Sequence, residues 1–552
     1  MSRHRAEGTK SGLLSASALM AAGTIVSRVT GFLRAVLIVA AIGKSLDADL
    51  FTQANTIPNS LYILVAGGVF NVVLVPQLVR TMKSDPDGGD AYAQRVLTLG
   101  VVVLAGATAV LLILVPLIAR AAFPTALFGP ELAAQRESAY NLMRWCMPQV
   151  FFYGIYVLLG QMLNARERFG PMMWAPIVNN VIACIVLGIY MATYGTSNAS
   201  DGFTTSQEVL LGLGSTIGIV LQALVLIPYL RAAGLKLRLR FDLRGVGLGH
   251  TLRLGVWTLA FVLVNQIAYF VVSRLAVSAT TTAAEGGHDN PAGATVYQNA
   301  FLITQVPHAI ITVSLVTATM PLLSRLAADG AREEMRSELA STLRLTLLVI
   351  VPLAVALACL GQPIATLLFS HGALVGDTQV IGRTIAAFAP GLVFFTVHYC
   401  MLRGFYADED TRTPFMVQML LAVTNILAAL AFTVAAPPAW IAALLALAYG
   451  LAYLVGVIAS ATALSRRVGP IFDKTMFRFV LRLAVAVGGS ALVMLGAVWG
   501  LEQLGISGDA AGSATVVAAV AGAAGALGYI VMARLVGLRE IRSLLGAVRR
   551  TA

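Results

Sequence analysis

Arginines stand inside largely apolar stretches: Arg28 and Arg34 within 13–43, Arg144 near the start of 136–165, and Arg274 within 247–280. A cation at the centre of a bilayer costs about 2.5–3.5 kcal/mol on insertion scales, so each needs a compensating role. Arg28, Arg34 and Arg274 have no acid in the same stretches, and three cations without a counter-charge make a site for an anion. Planar guanidinium groups suit phosphate, which they bind through two parallel hydrogen bonds. Arg28 and Arg34 are six residues apart, about 120° around a regular helix. Gly31 lies between them, and a kink there would turn both towards one cavity. The opposing interpretation is that long arginine side chains reach back to the interface, which applies most to Arg34 and Arg144. Ser27 and Ser273, each directly before an arginine, join the candidate set. His308 and His398 stand alone in apolar stretches and read as hydrogen-bonded core residues rather than proton carriers.

The elements that position these residues are membrane helices. Of 552 residues, 58% are hydrophobic and 12% charged, and the mean hydropathy is +0.83. Soluble domains carry about 25% charged residues, and a water-soluble fold this apolar would expose too much greasy surface. A spanning helix needs about 20 apolar residues. Segments of that kind fall near 13–43, 48–80, 91–120, 136–165, 171–195, 206–233, 247–280, 293–327, 336–362, 376–405, 413–435, 440–465, 475–500 and 511–537. The expected fold is therefore an all-α integral membrane protein of about fourteen transmembrane helices. Pro437-Pro438 separates two of them, since neither proline fits a helix interior.

The formal net charge of +12 raises the question of nucleic acid, but the cations concentrate in alternate loops. Arg166 and Arg168, then Arg231, Lys236, Arg238, Arg240 and Arg244, then Arg466, Arg467 and Lys474, then the tail with Arg539, Arg542, Arg549 and Arg550 form the basic set. The intervening loops carry Asp201, Glu285, Asp289, Glu502 and Asp509. This pattern puts both termini in the cytoplasm and makes the basic charge a cytoplasmic rim rather than a nucleic-acid footprint. Arg28 and Arg34 interrupt the apolar stretch that a cleaved signal peptide would need. Cys146, Cys184, Cys359 and Cys400 read as small core residues, with no metal spacing and no disulfide framework. No Walker A, H-E-x-x-H or strand-borne G-x-G-x-x-G motif is present, so no catalytic residue, metal or ATP hydrolysis is expected.

The halves repeat. Val26-Ser27-Arg28 recurs as Val272-Ser273-Arg274, and Val75-Pro76-Gln77-Leu78-Val79-Arg80 as Met320-Pro321-Leu322-Leu323-Ser324-Arg325, at separations of 246 and 245 residues. Ala165-Arg166-Glu167 through Pro171 has a counterpart in Ala407-Asp408-Glu409 through Pro414. Three matches in order indicate a duplicated six-helix unit, as in many transporters. The expected organisation is an N-terminal lobe over 1–240, a C-terminal lobe over 241–468, and two additional helices with a cytoplasmic tail over 469–552.

The stretch Ser27-Arg28-Val29-Thr30-Gly31-Phe32-Leu33-Arg34 resembles the S-R-x-x-G-x-x-R signature of the MurJ (MviN) lipid II flippases. The resemblance continues through Asp49, Ile57-Pro58-Asn59, Val75-Pro76, Leu163-Asn164-Ala165-Arg166, Phe405-Tyr406-Ala407 and Asp410-Thr411-Arg412-Thr413-Pro414, and covers nearly the whole chain. It implies a fold of the multidrug/oligosaccharidyl-lipid/polysaccharide exporter type. It also implies transfer of lipid II, the undecaprenyl-diphosphate-linked peptidoglycan precursor, from the cytoplasmic to the outer leaflet of the bacterial inner membrane. On the same ground Arg28, Arg34, Arg274 and Ser27 are expected at the head group, and Gly31 and Asp49 are linked to transport. Ser273, Asn299 and Arg144 are further candidates. The two extra helices are expected to form a groove for the lipid tail. Where relatives have further charges this chain has Ser60, Leu61 and Tyr62, Gly67, and Asn299-Ala300-Phe301-Leu302-Ile303, so either Arg28, Arg34 and Arg274 carry more of the diphosphate or a partner helps. No cofactor is expected beyond the membrane potential or a monovalent cation. Partners are lipid II, the membrane and cell-wall synthesis proteins, and not nucleic acid. An exporter of other lipid-linked sugars or of drugs, a polytopic glycosyltransferase and a scaffold are the competing classes. The cluster of intramembrane arginines favours an anionic lipid over cationic drugs, and the short loops lack a glycosyltransferase's carboxylates.

Overall fold

The computed structural model describes residues 2–63, 90–235, 238, 240–242, 248–286, 290–538 and 540, with backbone only for 2–21 and 248–259. The expectations placed on Gly67, Val75–Arg80, Lys236, Arg244, Asp289, Arg539, Arg542, Arg549 and Arg550 lie outside the described residues. The described chain is helical throughout, with no strand among the described residues. It divides into two compact units, Met1–Gln266 and Ile267–Ala552.

The first unit contains α1 (Ser2–Ile42), α2 (Leu46–Tyr62), α3 (Asp90–Ile113), α4 (Ala133–Cys146), α5 (Gln149–Ala165), α6 (Gly170–Tyr194) and α7 (Thr205–Leu224). The boundary with the second unit falls inside α8 (Leu248–Gly286). There follow α9 (Ala294–Pro307), α10 (Val313–Ala328), α11 (Arg332–Cys359), α12 (Gln379–Ala407), α13 (Arg412–Thr433), α14 (Ile441–Val468), α15 (Lys474–Gln503) and α16 (Ala511–Leu535). Thirteen helices among the described residues are long and apolar enough to cross a membrane. They match thirteen of the fourteen expected segments; the other, 48–80, is helical over Leu46–Tyr62 and then leaves the described residues. A single turn of 3₁₀ helix, Pro438–Trp440, separates α13 from α14 at the proline pair.

Apolar runs become helices here because a bilayer offers backbone groups no partner but each other. The helix ends are fixed locally. Thr204 and Gln207 form a reciprocal capping box at the start of α7, and Asp473 accepts from the Met476 amide at the start of α15 (2.8 Å). Between α9 and α10, after Pro307, the helix widens to a π-turn over His308–Thr312. Such turns are rare and occur where a helix absorbs an irregularity.

In the first unit α1 packs along α6, and α6 along α7. In the second, α12 packs along α14 and α13 along α14. A Cβ on Gly391 would lie 2.8 Å from the Tyr449 ring and 3.3 Å from Gly450 Cα, so two glycines set the α12–α14 approach, as small residues do between membrane helices. The additional helices α15 and α16 pack on each other and on this unit. Ser490 donates to the Gly525 carbonyl (2.7 Å) between them, and Tyr529 ties α16 to the Leu348 carbonyl of α11 (2.7 Å).

Candidate functional site

Arg34 lies on the wall of a cavity of about 210 Å³ inside the first unit. Five helices build it. α1 contributes Arg34 and Ile38, and α2 contributes Phe51, Asn55, Thr56 and Asn59. Tyr153 comes from α5, Asn179 from α6 and Ser215 from α7, with aliphatic side chains filling the remainder. Asn55 Oδ1 accepts from Gln149 Nε2 (3.1 Å), so its remaining amide group is a donor. Arg34 Nε is buried and has no hydrogen-bond partner. The cavity thus joins one guanidinium to several amide and hydroxyl groups, a combination suited to an anion rather than a cation.

Arg28 does not line this cavity. It is exposed, while Arg34, six residues on, is partly buried at the wall. The helix runs unbroken through Gly31 from Ser2 to Ile42. Gly31 serves a close approach: a Cβ there would lie 3.3 Å from Asn180 Nδ2. That amide donates to the Ser27 carbonyl (3.0 Å) and to Thr30 Oγ1 (3.1 Å), fastening α1 to α6. Ser27 therefore enters through its backbone. Asn180, with Asn55 and Asn179, was missed in the sequence reading. The visible signal was Asn179-Asn180 in the middle of an apolar stretch.

Asp47 and Asp49 both fall in the first turn of α2 and are buried. Acids at that place complement the helix dipole. Asp47 accepts from the Gly202 amide (3.0 Å). Arg144 is exposed, bonded to Asn141 Oδ1 (3.0 Å) and 3.9 Å from Glu137, and its contacts do not include the cavity residues. Tyr62, buried, stacks on Tyr153 at 5.7 Å.

In the second unit, Arg274 is partly buried and Ser273 buried on α8. Asn299 bonds back to its own helix at the Thr295 carbonyl (2.8 Å), and Leu302 is exposed. The interior is aromatic. His308 pairs with Thr396 Oγ1 (3.0 Å), packed between Phe395 and Tyr399. His398 pairs with Ser460 Oγ (3.2 Å) beside Tyr453. Both histidines are satisfied core residues. All four cysteines are free.

An all-helical chain with thirteen described spanning helices and an arginine-lined interior cavity belongs to the class of polytopic membrane transporters. The family model described as "Lipid II flippase MurJ" matches residues 38–507, and the chain belongs to that family. It is a multi-pass protein of the inner membrane and a transporter rather than an enzyme. It is 28% identical over 422 residues to a probable lipid II flippase MurJ of Haemophilus influenzae, covering 73% of this chain and 77% of the relative. It is 27% identical over 484 residues to that of Rhizobium tropici, covering 86% of each. Among solved structures, the fold is similar to a lipid II flippase MurJ in an inward closed conformation, with a TM-score of 0.71 at 20% identity over 94% of this chain and 98% of that one. It is also similar to an inward-facing multidrug resistance MATE family transporter of the MOP superfamily, with a TM-score of 0.62 at 15% identity over 80% and 95%.

Proposed function

We propose that the chain moves lipid II from the cytoplasmic to the outer leaflet by alternating access, with its diphosphate held by arginines of the membrane interior. Family membership carries the substrate, and the Arg34 cavity is the observation that supports the anion-binding part. Arg34 offers a fork of donors to one phosphate, with the amides of Asn55, Asn59 and Asn179 beside it. Arg28 and Arg274, each following a serine at repeat-related positions, supply the other cations. Both termini lie in the cytoplasm, so the head group enters from the side where the basic loops lie. A membrane potential negative inside drives net negative charge outward by about 2.3 kcal/mol per charge per 100 mV. That potential or a monovalent cation supplies the driving force, and cell-wall synthesis proteins receive the product.

The test uses cells that depend on this protein. An impermeant enzyme or label reports how much lipid II reaches the outer leaflet. Depletion should confine lipid II to the inner leaflet, and Arg28→Ala or Arg274→Ala should do the same while the protein still accumulates in the membrane. Outer-leaflet lipid II undiminished by depletion would overturn the function. Normal transport in both arginine variants would overturn the anchoring.

A further inference from the structure

The corner after α5 and the corner after α12 are built alike. In the first, the Leu163 carbonyl accepts from the amides of Arg166 (3.0 Å) and Arg168 (2.9 Å), and the Asn164 carbonyl from Glu167 (3.0 Å). In the second, the Phe405 carbonyl accepts from Asp408 (3.1 Å) and Asp410 (3.0 Å), and the Tyr406 carbonyl from Glu409 (3.1 Å). Glu167 and Glu409 both take left-handed backbone, φ 60° and 57°, two of only three such non-glycine residues among those described. Side chains other than glycine avoid that region unless the surroundings impose it.

Each corner is also tied to the start of another helix in its own unit. Arg166 Nη2 lies 2.7 Å from Asp90 Oδ1, at the first residue of α3. Asp408 Oδ1 lies 2.5 Å from Arg332 Nη1, at the first residue of α11. The separation from Asp90 to Arg332 and from Arg166 to Asp408 is 242 residues in both cases. The repeat has kept the geometry and exchanged the charges. An arginine in the first turn of α11 opposes that helix's own dipole, so its partner across the corner, and not its helix, accounts for its place.

We propose that these corners are one clamp built twice with opposite polarity, and that transport requires the attraction in each copy irrespective of which side carries which sign. Helices in a bilayer have no hydrophobic drive to associate. Polar ties at their ends therefore decide whether a unit moves as one body when it rocks. The second clamp has an additional tie: Asp410 Oδ2 accepts from Arg467 Nη2 at the end of α14 (2.6 Å). In the first copy the residue 242 positions earlier is Arg168, which is exposed. The tie described for the first clamp is the Arg166–Asp90 pair. The consequence for transport rests on the lipid II reading above; the clamp itself does not.

The experiment compares wild type, Arg166→Asp, Asp90→Arg and the double variant, which gives the first copy the polarity of the second. The two side chains of the pair are 28% and 27% exposed, and ion pairs still open to water contribute little to stability, so the amount of folded protein should be the same in all four. Each single variant should lower lipid II transport roughly tenfold, and the double variant should recover most of it. Amide exchange of residues 164–168 in lipid nanodiscs gives a readout independent of substrate: fast in both single variants, slow in wild type and in the double variant. Wild-type exchange in the single variants, or a double variant as poor as the worse single one, would overturn the clamp. Failure of the wild type to deliver lipid II would instead overturn the functional reading, with the exchange experiment still deciding the clamp.

Discussion

The first unit keeps a polar hollow where the matching described positions of the second carry aromatic and aliphatic side chains. Counting 242 residues onward, Tyr153 of the cavity wall corresponds to Phe395; past the corner, where Pro171 matches Pro414 at a separation of 243, Asn179 corresponds to Ala422. Ala422 is buried in the second unit, and Phe395 packs against Tyr453 and His308. On the first helix of each copy the separation is 246 residues, and Arg34 corresponds to Thr280, which bonds back to the Val277 carbonyl of its own helix (3.0 Å). The copies thus share their corners but not these interior positions. A repeated scaffold can differ in its interior while keeping its corners, because helix ends and helix interiors are set by different residues.

The largest test of this contrast is Arg34→Ala. Removing one partner of a desolvated charge pair, here the one Arg34 would form with the diphosphate, typically costs about 2–5 kcal/mol of binding, so lipid II transport should fall by roughly 30-fold or more, with Arg34→Lys intermediate. Normal growth of cells that rely on Arg34→Ala would remove the cavity from the transport path.

Filling experiments separate the two interiors next. Ser215 lines the cavity and its hydroxyl bonds only along its own helix, to the Leu211 carbonyl (2.7 Å). Ser215→Leu should leave thermal stability within about 1 kcal/mol and still reduce transport. Gly391→Leu, at the α12–α14 crossing, should destabilise by about 1–3 kcal/mol through overpacking, seen as a lower melting temperature in detergent. Equal melting temperatures would contradict close packing at the α12–α14 crossing.

His398→Leu should cost about 0.5–1.5 kcal/mol of stability by removing one hydrogen bond of Ser460, whose hydroxyl still donates to the Gly456 carbonyl, with the pH profile of transport unchanged. A profile altered by this variant or by His308→Gln would turn these core histidines into transport groups.

The smallest effect concerns Asp410, in the loop outside the spans. Burial alone would raise its pKa, but hydrogen bonds from Thr413 and the Arg467 guanidinium hold it below the ordinary carboxylate value. Its native pKa is thus below its unfolded one, so its contribution is present at neutral pH and is lost as pH falls below about 4. Exchange of residues 408–413 should quicken over that range by an amount worth less than about 1 kcal/mol. Asp410→Asn should abolish the dependence, and the first copy, with Arg168 at that place, should show none.

The sequence by itself determined the membrane class, the helix boundaries to within a few residues for most segments, the break at Pro437-Pro438 and the repeated corner motif. These are local properties: a bilayer forces each apolar run to satisfy its backbone within itself, and a short motif carries its turn with it wherever it is copied. The family signature around Arg28 and Arg34 was legible for the same reason. Tertiary structure alone decided that Arg34 borders a cavity while Arg28 is exposed, and that Asn55, Asn59 and Asn179 join Arg34. It also gave Gly31 its place against Asn180, and brought Arg166 to Asp90 and Asp408 to Arg332. Each of these depends on which face of a helix meets a neighbour some 20 to 150 residues away along the chain. An apolar helix that is hydrophobic all round gives no sequence stripe from which that face can be read.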